Sequence, residues 1–176
     1  MQTILQIMFG DVPLHLQSCV VSVKNYARAN KWGYIGIHST DEYFKEPKFN
    51  SSLERFLWYR HASDWIRTRL LSEGPHLLYV DWDIFLYPDF KIPEMDKMAF
   101  GKNRCVDAIL YNGDQCDEFK KIHDQIELPN IHDSYNLSKV LRSYLLDHKV
   151  ETFMGHYCHF DNCQFKDTLD YVAENR

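Results

Sequence analysis

"LLYVDWDIFLYPDF", residues 77–90, is the stretch on which the fold of this chain turns. Leu77 to Val80 is a strand-like apolar run; it meets Asp81-Trp82-Asp83, and apolar character resumes at Ile84. An apolar strand belongs inside a sheet, whereas two carboxylates belong at a rim where the strand ends. Residues i and i+2 of an extended chain project to one side, which predicts Asp81 and Asp83 facing one cleft with Trp82 turned away. Carboxylates that close repel, and one drifts toward protonation unless a cation compensates. Oxygen-rich ligation of this kind suits Mn²⁺ or Mg²⁺, ions that commonly also hold substrate phosphates.

The flanking segments say what kind of sheet this strand enters. Upstream, residues 53–73 predict a helix, with Ser51 or Ser52 as its cap and Gly74-Pro75 as its stop. Its apolar stripe is Trp58, Ala62, Trp65, Ile66 and Leu70. At about 100° per residue, Arg60, Asp64 and Arg67 lie close to the opposite side. They form either a solvated face with an Arg60–Asp64 pair, or a polar edge looking into the cleft of the aspartates. Further back, residues 3–9 predict a buried strand closed by Gly10-Asp11, and residues 13–30 an amphipathic helix through Leu16, Cys19, Val20, Val23 and Ala27. Residues 32–39 predict a second strand. Downstream come strand candidates at 97–101 and 107–112 and helices at 116–126 and 137–148. Such alternation predicts an α/β fold: a mostly parallel mixed sheet, helices on both faces, one domain over residues 1–176.

Composition narrows the partners. With 176 residues, 45% apolar and 26% charged, the chain is globular, and its net charge of −5 excludes the broad basic surface that nucleic-acid binding needs. No run approaches the roughly 20 apolar residues of a membrane span, and "MQTILQIMFGD" lacks the basic leader of a signal peptide. Five cysteines without paired spacing predict a reduced, soluble, cytoplasmic protein.

The stretch "HASDWIRTRLLSEGPHLLYVDWD" resembles the central signature of the DxD glycosyltransferases of family 32 and their relatives, and "TILQIMFGDVPL" is similar to that family's first strand. The resemblance covers the first half of the chain. It implies a GT-A-type, Rossmann-like fold, with residues 1–90 as the nucleotide-sugar and metal half and 91–176 as the acceptor-side half. It implies a nucleotide-sugar donor, commonly a UDP-sugar, a carbohydrate or glycoconjugate acceptor, Mn²⁺ (or Mg²⁺), and transfer with retention of anomeric configuration. Carried over by position, Asp81 and Asp83 would engage the metal and, through it, the donor diphosphate. Asp64 and Arg67 would hold the donor sugar. Gln6, Ile7, Met8 and Phe9 would border the base, and Trp82 would lie in the donor site. Leu5 and Met8 replace the usual His and Trp of the first strand, which leaves the base open.

Relatives commonly place a late histidine on the cation, and "GHYCHFDNC" offers His156, with His159 as the alternative. Asn112 and Asp114 follow another predicted strand, either bordering the acceptor or forming a plain Asn-Gly turn. Two competing functions share the motif: an aspartate-nucleophile phosphatase and a catalytically degenerate sugar-nucleotide-binding module.

Overall fold

The computed structural model describes residues 1–102, 106–130 and 137–159. Strands β1 (Thr3–Ile7), β2 (Gly33–Ile37) and β3 (Leu77–Val80) run parallel, β1 in the middle. β5 (Ala99–Phe100), β6 (Ile109–Tyr111) and β7 (Glu151–Thr152) extend the sheet on the β3 side. Its six strands are ordered β2-β1-β3-β6-β5-β7, with β6 antiparallel to both neighbours. A separate ribbon pairs β4 (Ile84–Leu86) with β8 (Tyr157–His159). The expected mostly parallel mixed sheet is therefore present, and it draws strands from both halves of the chain.

Two helices sandwich the parallel part. α1 (Gln17–Ala29), entered through a 3₁₀ turn at Leu14–Leu16, sets Val23, Tyr26 and Ala27 against Ile4, Leu78 and Val80. α2 (Ser52–Glu73) covers the opposite face, where Ile66 and Leu71 meet Leu5, Ile7 and Tyr79. The alternation Ile4/Leu5 and Leu78/Tyr79 is the period-two pattern of a strand buried on both sides. α3 (Cys116–His123) and α4 (Leu137–Asp147) thicken the α2 layer through Phe119, Ile122, Leu137 and Leu141. Each such fully buried side chain contributes about 1.5–3 kcal/mol relative to exposure.

α2 begins where the sequence placed it: the Ser51 hydroxyl accepts from Glu54 N at 3.1 Å, and Glu54 Oε2 accepts from Asn50 N at 2.7 Å. It ends at Glu73 with Gly74 next, as expected. Gly74 is extended, and the buried Asn112 does the capping, donating to Leu71 O at 2.7 Å and Gly74 O at 2.6 Å while accepting from Leu77 N at 2.8 Å.

Two expectations are corrected. Asp81-Trp82-Asp83 is not extended: β3 stops at Val80, and Ile84 N donates to Asp81 O at 3.2 Å, closing a tight turn into β4. The two aspartates share a cleft because the chain bends there. The cysteines are not all reduced either: Cys158 is disulfide-bonded, while Cys19 and Cys116 are free thiols. Sequence spacing could not show which thiols the fold brings together. Among the described residues no helix is long and apolar enough to cross a membrane.

Candidate active site

A cleft of about 580 Å³ opens at the C-terminal rim of β1 and β3. Its inner end is polar: Asp64 and Arg67 from α2, Asp81 and Asp83 from the turn, and Asp107 just ahead of β6. Its outer end is aromatic, with Phe9 after β1 and Phe56 and Tyr59 from the first half of α2. The Phe9 and Tyr59 rings are stacked, centroids 5.1 Å apart. Trp82 also borders the cleft, rather than pointing away from it.

Arg67 organises the polar end. Its side chain is 4% exposed, and Asp64, one turn earlier, is 3% exposed and accepts from Arg67 Nη2. Nη1 donates to Asp81 Oδ1 at 3.2 Å and to the Asp107 carbonyl at 2.9 Å. The guanidinium lies 4.7 Å over the ring of Tyr79, whose hydroxyl donates to the same Asp81 oxygen. Arg67 thus ties α2, β3 and the start of β6 together, and the suggested Arg60–Asp64 pair gives way to Asp64–Arg67. Arg60 is exposed but also lines the cleft, so the polar edge of α2 does look into it.

Burial and crowding of like charges raise the two inner carboxyls. Desolvation pushes Asp64 up to about 7, with Arg67 pulling it back and Asp107 and Asp81 adding to the rise. Asp81, whose side chain keeps 25% exposure, is pushed up to about 6 by desolvation, partly offset by Arg67 and reinforced by Asp83. On the α1 side, burial and then the charge of Asp83 push the Cys19 thiol up to about 12, so it stays protonated beside the turn.

The composition of this end fits a divalent cation. Four carboxylates (Asp64, Asp81, Asp83 and Asp107) meet one buried guanidinium, and hard oxygen donors are the set Mn²⁺ and Mg²⁺ prefer. Tyr79 and Arg67 both engage Asp81 Oδ1, which leaves the second oxygen of that carboxylate for a ligand from the cleft. Among the described residues no cluster of three or more His, Cys, Asp or Glu is arranged to hold a metal. Diphosphate and water oxygens would have to supply the remaining ligands.

The first-strand residues divide by face. Ile7 and Phe9 line the cleft. Gln6 and Met8 are almost fully buried, and Gln6 reaches Tyr34 and the Asp81 carbonyl instead. The split continues past β1, so Met8 lies off the described cleft lining while Phe9 is on it. His156 is 80% exposed; its N–H donates to Asp89 Oδ1 at 3.1 Å and its Nδ1 lies 2.5 Å from Asp89 Oδ2. Those bonds outweigh desolvation and hold the Asp89 carboxyl below its ordinary value. His159 pairs through its backbone with Ile84, one residue past Asp83; its side chain lies outside the described ones. Asn112 and Asp114 stand at the opposite rim, because β6 runs antiparallel and brings its beginning, Asp107, to the cleft.

Sequence reasoning missed Asp107, Phe56, Tyr59 and Ser63. The last three do carry a signal. Phe56, Tyr59, Ser63 and Arg67 recur at i, i+3, i+7 and i+11, a single row along α2 that converges on the cleft.

No protein-family model matches this sequence, and no curated protein does. A solved structure does: the crystal structure of a glycosyltransferase involved in the glycosylation of the major capsid of PBCV-1 superposes with a TM-score of 0.53. The match covers 98% of each chain at 12% identity, so what the two share is the fold.

Proposed function

We propose that this chain is a metal-dependent glycosyltransferase that takes a sugar from a nucleotide-sugar donor, a UDP-sugar being the first to test, to a carbohydrate or glycoconjugate acceptor with retention of configuration. One observation carries the proposal: Asp81 and Asp83 share a turn at the rim of the central strands, in a cleft whose described lining has more carboxylates than cations. The fold shared with a glycosyltransferase agrees with it.

Asp81 and Asp83 would hold Mn²⁺ or Mg²⁺. A cation bound there supplies Lewis-acid stabilisation of the charge that grows on a departing diphosphate. Arg67 fixes the orientation of Asp81 and offsets part of the burial that raises Asp64, and both residues would meet hydroxyls of the donor sugar. Phe9 and Tyr59 form an aromatic wall suited to a base, and burial in the cleft excludes water from the sugar. Asp107 adds a carboxylate at the inner end.

The test is a thermal-shift panel of nucleotide-sugars with Mn²⁺ and then with chelator, followed by donor turnover. The expected result is a rise in midpoint that chelator removes, slow donor hydrolysis, and loss of both in Asp83→Asn at an unchanged fold. Aryl-phosphate hydrolysis without nucleotide-sugar hydrolysis would replace this function with a phosphatase. Metal-dependent donor binding without hydrolysis or transfer would replace it with a binding module.

A further inference from the structure

The turn that carries the aspartates is fixed from beneath by a chain of side-chain bonds reaching the sheet edge. Tyr34 lies on β2, and Gln6 lies diagonally across from it on β1, since Ile4 pairs with Tyr34 and Gln6 with Gly36. The Tyr34 hydroxyl donates to Gln6 Oε1 at 2.9 Å. Gln6 Nε2 in turn donates to the Asp81 carbonyl at 3.3 Å. That carbonyl also accepts from Ile84 N at 3.2 Å, the bond that closes the turn.

The local sequence leaves room for this relay. A Cβ on Gly36 would be tight against His38 Nε2 at 3.1 Å and in ordinary contact with Met8 Cε at 3.4 Å and Tyr34 Cε1 at 3.6 Å, so glycine keeps this face of β2 uncrowded beside the phenol. Lys24 of α1 holds its ammonium 5.3 Å from the centroid of the Tyr34 ring, steadying it from the helix layer. Gln6 is fully buried, and both ends of its amide are used. A buried glutamine whose amide bridges one phenol and one carbonyl is oriented by both, and it loses its direction when either partner goes.

We infer that Tyr34 is a positioning residue for the metal-bearing turn: through Gln6 it sets where the Asp81 carbonyl, and hence the Asp81 and Asp83 carboxylates, stand. This rests on the metal-dependent function proposed above. It predicts that an edge-strand side chain outside the cleft lining governs cation affinity.

The experiment is a titration with Mn²⁺ alone, read by loss of the free-ion electron spin resonance signal, which makes no assumption about base or sugar. Wild type binds. Tyr34→Phe, which removes one oxygen, weakens Mn²⁺ about tenfold, in the range expected when a supporting shell is cut, at a nearly unchanged melting temperature. Gln6→Met weakens it similarly, and adding Tyr34→Phe to Gln6→Met weakens it no further. Equal affinity in wild type and Tyr34→Phe overturns the relay while leaving the metal site standing. So does additive loss in the double variant, which marks two independent packing effects. A wild type that binds no Mn²⁺ overturns the metal site and the relay together.

Discussion

The two rims of the central sheet hold similar residues put to opposite uses. At the N-terminal rim of β3, Asn112 satisfies three backbone groups, and His76 bridges the Tyr111 hydroxyl at 3.1 Å and the Asp114 carboxylate at 3.0 Å. Polar groups there find partners within the protein. At the C-terminal rim, Asp64, Asp81, Asp83 and Asp107 crowd around Arg67, and burial raises two of them. A rim with matched partners adds stability, whereas one with surplus carboxylates sets stability aside for a cationic ligand.

Removing Arg67 should have the largest effect, because among the described residues it is the one buried cation at this rim. Arg67→Ala is expected to cost about 3–5 kcal/mol by leaving Asp64 and Asp81 buried and uncompensated. Denaturant unfolding measures this, and an unchanged midpoint would mean the cleft rim has no structural part. Arg67 thus supports the fold as well as any donor, so weakened donor binding in this variant needs a folded control.

At the matched rim, Asn112→Ala is expected to destabilise by roughly 2–3 kcal/mol, since it orphans two carbonyls and one N–H. Its Mn²⁺ affinity should equal that of wild type. A variant that loses metal binding while folded would show that the two rims are coupled and the contrast false.

The pH dependence should be subtler. In the unfolded chain Asp64 and Asp81 lose their protons near 3.8, but in the folded chain only at about 7 and about 6. Between those values the folded state holds more protons, so metal-free stability falls as pH rises from about 4 through about 7. A cation competes with the Asp81 proton, so Mn²⁺ affinity should rise about tenfold per pH unit below about 6 and level off above it. Calorimetry from pH 5 to 8 tests this; flat affinity would remove Asp81 from the metal site. The smallest effect belongs to His156→Ala. With its ring spent on exposed Asp89, the change should leave Mn²⁺ binding and melting temperature as they were. Lost Mn²⁺ binding would return His156 to the ligand set.

Sequence and structure divide the work unevenly. α2 was legible at its start from Ser51, but its buried polar residues blurred its amphipathic pattern: Asp64, Arg67 and Thr68 are as deep as Ile66. The short strands β4, β7 and β8 escaped notice because two or three residues carry no period, and pairing with distant chain is what makes them strands. Asp107 escaped because strand direction is a tertiary property.

By itself the sequence determined the α/β alternation, a serine cap at Ser51 or Ser52 and the placing of two aspartates at the end of a buried strand, since these depend on period, hydropathy and near neighbours. The tertiary structure decided that the aspartates meet through a turn, that Arg67 is their buried counter-charge, and that Asp107 rather than Asn112 faces the cleft. Each depends on which segments, far apart in the chain, the sheet brings side by side.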